Sequence, residues 1–132
     1  MTQDAMIAAR AVMDGFMAAF NARDAEAIRT RWFHFPHVRF HSGTVTVMQR
    51  PEDFFSLVWR GADHGEGQSA GWGRTAWDYV ETIDAGPDKV HFRVQFTRYR
   101  ADGSAIGSYR SLYIVTWQDG RWGIQGRSSW AE

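Results

Sequence analysis

Apolar side chains recur along residues 3–20 at spacings of three, four and seven, with Met6, Met13, Phe16, Met17 and Phe20 on one side and Gln3, Arg10 and Asp14 on the other. That period predicts an amphipathic helix packed on a core. Thr2 can cap its start, and Asp4 suits the positive end of the helix dipole. Asn21 tolerates the left-handed conformation that ends a helix, and Asp24 can cap a second, shorter one. Ala25, Ile28 and Trp32 are its apolar stripe, so the two helices form a tight hairpin.

Pro36 stops helical continuation, because the residue before a proline is pushed toward extended geometry. The period then changes to two. Val38 and Phe40 alternate with His37, Arg39 and His41, and Val45 and Val47 alternate with Thr44 and Thr46 across Ser42-Gly43, which predicts a short strand pair. The apolar members are expected to face the core and the His37, Arg39 and His41 trio to lie outside. His41, near the strand end, is the member best able to curl toward a cavity mouth. Pro51, Glu52 and Asp53 start a third helix with Phe54, Phe55, Val58 and Trp59 as its stripe. Between Gly61 and Gly73 lie five glycines with Asp63, His64 and Glu66. That stretch reads as a loop, and with Trp72 it could close over a pocket as a lid.

Four extended runs complete the chain, at 74–84, 88–100, 108–117 and 121–130, joined by Ala85-Gly86-Pro87-Asp88, Asp102-Gly103 and Asp119-Gly120. These connectors carry turn chemistry and predict an antiparallel meander. Strands this long must bend in a small domain, and Gly107, Gly123 and Gly126 can supply bulges. Val90, Phe92, Val94 and Phe96 make one face, which the helices can cover. The opposite face carries His91, Arg93, Gln95, Thr97 and Tyr99, with Tyr109 and Tyr113 if the pairing allows. Its aromatic and arginine content suits a protein interface, and a homodimer through it is expected.

Composition narrows the classes. The 132 residues make one domain, and the absence of cysteine excludes disulfides, thiol nucleophiles and sulfur-ligated metals. Fifteen Lys plus Arg balance fifteen Asp plus Glu, which argues against a nucleic-acid surface. Apolar runs such as Phe16 to Phe20 are far short of the ~20 residues of a membrane span, and the N-terminus lacks the pattern of a signal peptide. A cytoplasmic protein without membrane or nucleic-acid partners is expected. A metal between His37 and His41 is disfavoured by the Arg39 cation between them, so no metal or cofactor is expected.

The order of elements, with Ala19-Phe20-Asn21-Ala22-Arg23-Asp24, Pro51-Glu52-Asp53-Phe54 and Asp119-Gly120-Arg121-Trp122-Gly123-Ile124, resembles the NTF2-like superfamily, also described as SnoaL-like or ketosteroid-isomerase-like. The stretches His34 to Arg39 and Gly86 to Phe92 look most like its uncharacterised bacterial members. The resemblance covers nearly all of residues 1–132 as a single domain. It implies an α+β cone: three N-terminal helices packed on a curved antiparallel sheet, a short strand pair before the third helix, a ligand cavity, and commonly a dimer. It does not imply one chemistry.

Ketosteroid isomerases take a proton with an Asp and stabilise the enolate with a Tyr and a protonated Asp. Alignment through Asn21 and Asp24 puts Phe16 at the Tyr position and Phe40 at the base position, and extension from the last hairpin puts Leu112 at the second acid. Hydrocarbon cannot perform those steps. The remaining pocket candidates are the aromatic side chains Phe16, Phe20, Trp32, Phe40, Phe55, Trp59 and Trp77 with Leu112. Arg110, Arg127, Gln125 and Ser129 face inward on one register of the last strands, whereas on the other Trp122 and Ile124 do. An inward Arg needs a carboxylate or an anionic ligand. The expected function is binding of a small, largely apolar organic molecule, anionic or aromatic, in the cone, with His41 as the acid–base residue of any lyase or isomerase chemistry. The alternative is a non-catalytic dimeric interaction module.

Overall fold

Helix α1 (Thr2–Asn21) follows from its period, for Ala5, Ala9, Val12, Met13, Phe16 and Ala19 are its buried residues. The computed structural model describes residues 2–41, 43–54 and 71–130. After α1 the chain turns through Arg23, which takes the left-handed conformation (φ 57°) that Asn21 was expected to take. Asn21 instead completes α1 and points its amide at the sheet: Nδ2 donates to the Thr75 carbonyl and Oδ1 accepts from the Thr75 N–H, both at 2.7 Å. Asp24 caps the next helix by accepting from Ala27 N–H at 3.0 Å. That helix, α2 (Ala25–Ala27), is short and runs straight into a π-helical turn over Ile28–Trp32.

Six strands form one sheet: β1 (Phe33–His41), β2 (Thr44–Met48), β3 (Trp72–Ala85), β4 (Lys89–Arg100), β5 (Ala105–Gln118) and β6 (Arg121–Ser129). Their order is β2-β1-β6-β5-β4-β3. The meander of β3 to β6 is as expected, and β1 joins it as the parallel neighbour of β6. Trp72 and Gly73, expected in the preceding loop, open β3. Asp119 and Gly120 both have positive φ, 54° and 77°, which is the backbone of a two-residue hairpin turn with the right-handed strand twist. Extra residues interrupt the pairing in β3, near Gly107 in β5 and at Gln125 in β6, and such bulges bend a sheet.

Helix α1 lies over the inner face of the bent sheet, where Val90, Phe92, Val94, Phe96, Tyr113, Val115 and Ile124 are buried. Each such side chain contributes about 1.5–3 kcal/mol on burial. Helix α3 (Pro51–Phe54) begins at the expected proline and seats Phe54 edge-on against Phe33, with ring centres 5.2 Å apart. The expected continuation of its stripe through Phe55, Val58 and Trp59 and the residues 61–70 of the proposed lid, His64 included, lie outside the described residues.

Strand β1 has the opposite phase to the one expected. Phe33 and His37 are fully buried, while Phe40 is 49% exposed. The physical reason lies at the start of the strand: Phe33 fills the core beneath α1, stacked on Phe16 at 5.4 Å, the pairing with β6 is irregular between Phe33 and Val38, and past that irregularity His37 and Arg39 are the inward set. The outer sheet face is corrected likewise. Tyr113 is buried at 5% exposure, and Tyr109 pairs across from Phe96 on the inner face, so neither belongs with His91, Arg93 and Gln95. Thr97 does lie on the outer side but is covered there, donating to Asp78 at 2.6 Å and bonding Ser108 at 2.7 Å.

Candidate functional site

A cavity opens between α1 and the sheet. Phe16, Thr75, Phe96, Ser111, Tyr113 and Arg127 are its buried residues, and Met17, Phe20, Arg39, Trp77, Arg98 and Ser129 its half-buried rim. The cavity volume is about 50 Å³. It is therefore narrow. Trp77 meets Tyr113 at right angles, ring centres 5.6 Å apart, and Phe16 lies 6.0 Å from the same tyrosine.

Among the described residues, three arginines and no acidic residue line this space. Arg39 and Arg127 are cross-strand neighbours in the β1–β6 pair, and Arg127 lies opposite Tyr113 in the β5–β6 pair. Burial, assisted by the charges of Arg127 and then Arg98, pushes Arg39 down to about 10. Burial lowers Arg98 and Arg127 in the same direction. All three stay cationic at neutral pH. Arg98 lies over the rings of Phe96 and Tyr109, at 5.5 and 5.3 Å, and Arg127 lies 4.9 Å from the Phe33 ring centre, a favourable placement for a cation.

Arg127 is 9% exposed, and its neighbour His37 is fully buried. The Arg127 Nε–H can only donate, so at 3.0 Å the His37 Nε2 accepts. The imidazole proton then sits on Nδ1, which donates to the Ile124 carbonyl at 3.0 Å. Burial first, then the Arg127 charge, holds His37 well below the ordinary histidine range, so it is neutral at pH 7. The Arg127 Nη2 group is buried with no hydrogen-bond partner among the described residues.

The residues expected in the pocket divide sharply. Phe16, Phe20, Trp77, Arg127 and Ser129 line it. Phe40 does not, because β1 runs in the opposite phase. Arg110 and Leu112 lie across from Gln95 and Arg93 on the outer side of the sheet. Gln125 is the bulge residue of β6 and donates to the Pro36 carbonyl at 3.0 Å. This bulge reconciles the two registers weighed from the sequence: Ile124 before it and Arg127 after it both face inward. Trp32 packs over Gly15 on α1, outside the cavity, where a Cβ on that glycine would lie 2.5 Å from its ring. Phe55 and Trp59 lie outside the described residues. His41 sits half-buried at the end of β1 beside Ser129 and is not in the lining, while the buried His34 donates through Nε2 to the Arg121 carbonyl at 3.0 Å. Arg39, Arg98, Thr75, Ser111, Phe96 and Tyr113 are lining residues not anticipated as such.

A family model described as NTF2-like protein (DUF6841) matches residues 4–129. Among solved structures, an NTF2-like protein with a cystatin-like fold from Novosphingobium aromaticivorans superposes with a TM-score of 0.74 at 13% identity, over 96% of this chain and 81% of that one. An NTF2-like protein of unknown function from Shewanella oneidensis gives 0.66 at 13% identity, covering 98% of both chains. A ketosteroid isomerase-like protein from Erwinia carotovora atroseptica gives 0.64 at 17% identity, over 93% and 92%. At these identities the likeness is one of fold. No curated protein matches the chain.

Proposed function

The chain belongs to the NTF2-like family DUF6841, and from that premise, a scaffold that hosts many chemistries, we propose that it binds a small, largely apolar organic molecule in the cavity between α1 and the sheet. The supporting observation is the lining itself: Phe16, Phe20, Trp77, Phe96 and Tyr113 surround a few convergent polar groups, the usual composition of a small-molecule site. The reading is one of binding and not of proton abstraction by the steroid-isomerase route. Phe16 contributes only a ring, Phe40 and Leu112 point away, and the buried imidazole of His37 spends its lone pair on Arg127. Titration of labelled protein with one- and two-ring compounds, followed by amide chemical shifts, tests this. Saturable shifts centred on Thr75, Ser111 and Arg127 support it; a full series that moves only outer-face residues, or none, rejects it.

A second reading, a dimeric interaction module, draws on a different surface. Phe40, Val45 and Val47 are 49%, 58% and 45% exposed. Phe40 pairs with Val45, and Val38 with Val47, so these side chains form one apolar patch on the outer face of β1 and β2. A second copy of the chain is the proposed occupant, and the two readings are compatible.

A further inference from the structure

We propose that the ligand carries a carboxylate, received between Arg39 and Arg127 on the sheet side of the cavity, with its apolar body against Phe16, Trp77 and Tyr113. This rests on the binding reading above and names the class of molecule for that site.

Electrostatics carries the inference. Two guanidinium groups from adjacent strands converge on a partly dry space with no carboxylate among its described lining residues. Like charges so placed repel, and removing them from water is costly unless an anion compensates. The side-chain acceptors placed on Arg127 among the described residues, the His37 imidazole and the Tyr113 hydroxyl, are both uncharged at neutral pH. An Asp or Glu there would have cancelled the charge; a histidine held neutral orients the guanidinium and leaves its charge intact. The orientation is selective as well: Nε is engaged, whereas Nη2, nine-tenths buried with its residue, has no partner among the described residues. A planar guanidinium with a vacant donor fits a planar carboxylate, and two cations can share its oxygens. Aromatic walls on a narrow cavity favour an aryl or arylalkyl acid over a hydrated polyanion.

The experiment is calorimetric titration of the protein with benzoate and phenylacetate, with benzamide as the neutral isostere and inorganic phosphate as the competing anion. The carboxylates are expected to bind at least tenfold tighter than benzamide. Arg127→Met and Arg39→Gln should each cut the preference for the carboxylates over benzamide to below about threefold, read as the ratio of the two affinities within each variant. Should Arg127→Met fail to fold by circular dichroism, the half-exposed Arg39→Gln decides alone. Equal affinity for benzoate and benzamide overturns the carboxylate proposal and leaves the cavity reading standing. Phosphate displacing benzoate at equal concentration also overturns it, in favour of an unselective anion site. If neither benzoate, phenylacetate nor benzamide binds, the carboxylate proposal falls, and the amide-shift series above decides separately whether the cavity takes any ring compound.

Discussion

Arg127 donates its Nε–H to Nε2 of His37 at 3.0 Å, so a cation and a neutral imidazole are joined between two buried side chains of the sheet. The imidazole is held on three sides: its Nδ1–H meets the Ile124 carbonyl, its face lies 4.1 Å from Phe33 at an interplanar angle of 10°, and Arg127 covers its second nitrogen. Both ring nitrogens are satisfied only in the neutral form. Protonation would turn an acceptor into a donor facing a donor and add a charge beside Arg127 and Arg39.

Stability should therefore fall on mild acidification. The folded-state value of His37 lies well below that of an unfolded histidine near 6.5, so between the two the unfolded chain binds the extra proton and the native one does not. Full stability is present above that range and is lost as pH falls through it. His34, also lowered by burial, acts in the same direction. Melting temperatures measured between about pH 7 and pH 5 should decline more steeply in the parent protein than in His37→Gln, which keeps a polar group but cannot titrate. Slopes that coincide would show that His37 is not the proton sink.

Asn21→Ala should destabilise the protein by about 1–3 kcal/mol in urea denaturation, because it leaves the Thr75 N–H without its partner in a nearly dry site. Asn21 uses both ends of its amide on one residue of β3, at 2.7 Å each. Thr75 also lines the cavity, so this contact ties the end of α1 to the pocket wall. Asn21→Asp keeps the acceptor, loses the donor and faces the Thr75 carbonyl with a negative charge; it should be no better than the alanine. A cost below about 0.5 kcal/mol for both would mean that the contact is not held in solution.

The path from sequence to this site was legible where the period was unbroken. Val90, Phe92, Val94 and Phe96 fixed the inner face of β4, and the same alternation carried two residues further reaches Arg98, so the second arginine could have been found by extending the count. In β1 the reading failed because Val38 and Phe40 are the more apolar set locally, whereas the phase is decided upstream, where Phe33 and Phe35 pack with the core. In β6 no period could serve, since Gln125 is an extra residue and the phase changes across it. A bulge depends on pairing with β5, a nonlocal property that residues 121–129 do not encode alone.

Gly73→Ala should cost about 1–3 kcal/mol, the range for forcing atoms into a packed site. A Cβ there would stand 2.8 Å from the Ala101 backbone nitrogen and 3.0 Å from two further backbone carbons, none of which can swing aside. Gly73 is an unpaired residue between Trp72 and Arg74, so the strand ends approach closely because it has no side chain. Gly86→Ala is the control, since its Cβ would meet only the Lys89 carbonyl at 3.8 Å. It should stay within about 0.5 kcal/mol of the parent. Equal losses for the two variants would argue against the close approach at Gly73.

The apolar patch on the outer face makes the oligomer testable by changing few contacts within the chain. Register relates Val45, Phe40, Ser128, Leu112, Arg93 and Glu81 in one row across the sheet, apolar at the β2 edge and charged toward β3. Interfaces bury their apolar part at the centre and leave charge at the rim, so the β1–β2 end should carry a self-association and the exposed Arg93–Glu81 pair, 3.8 Å apart, should border it. Light scattering on the parent protein should then give twice 15.1 kDa at micromolar concentration. Phe40→Ser with Val45→Ser should halve that mass with little effect on melting temperature, because both positions are already in water in the single chain. Arg93→Glu should weaken the association less. A parent that stays at the single-chain mass up to the highest soluble concentration would remove the dimer reading, and a stronger effect at Arg93 than at Phe40 would move the interface to the face of β4.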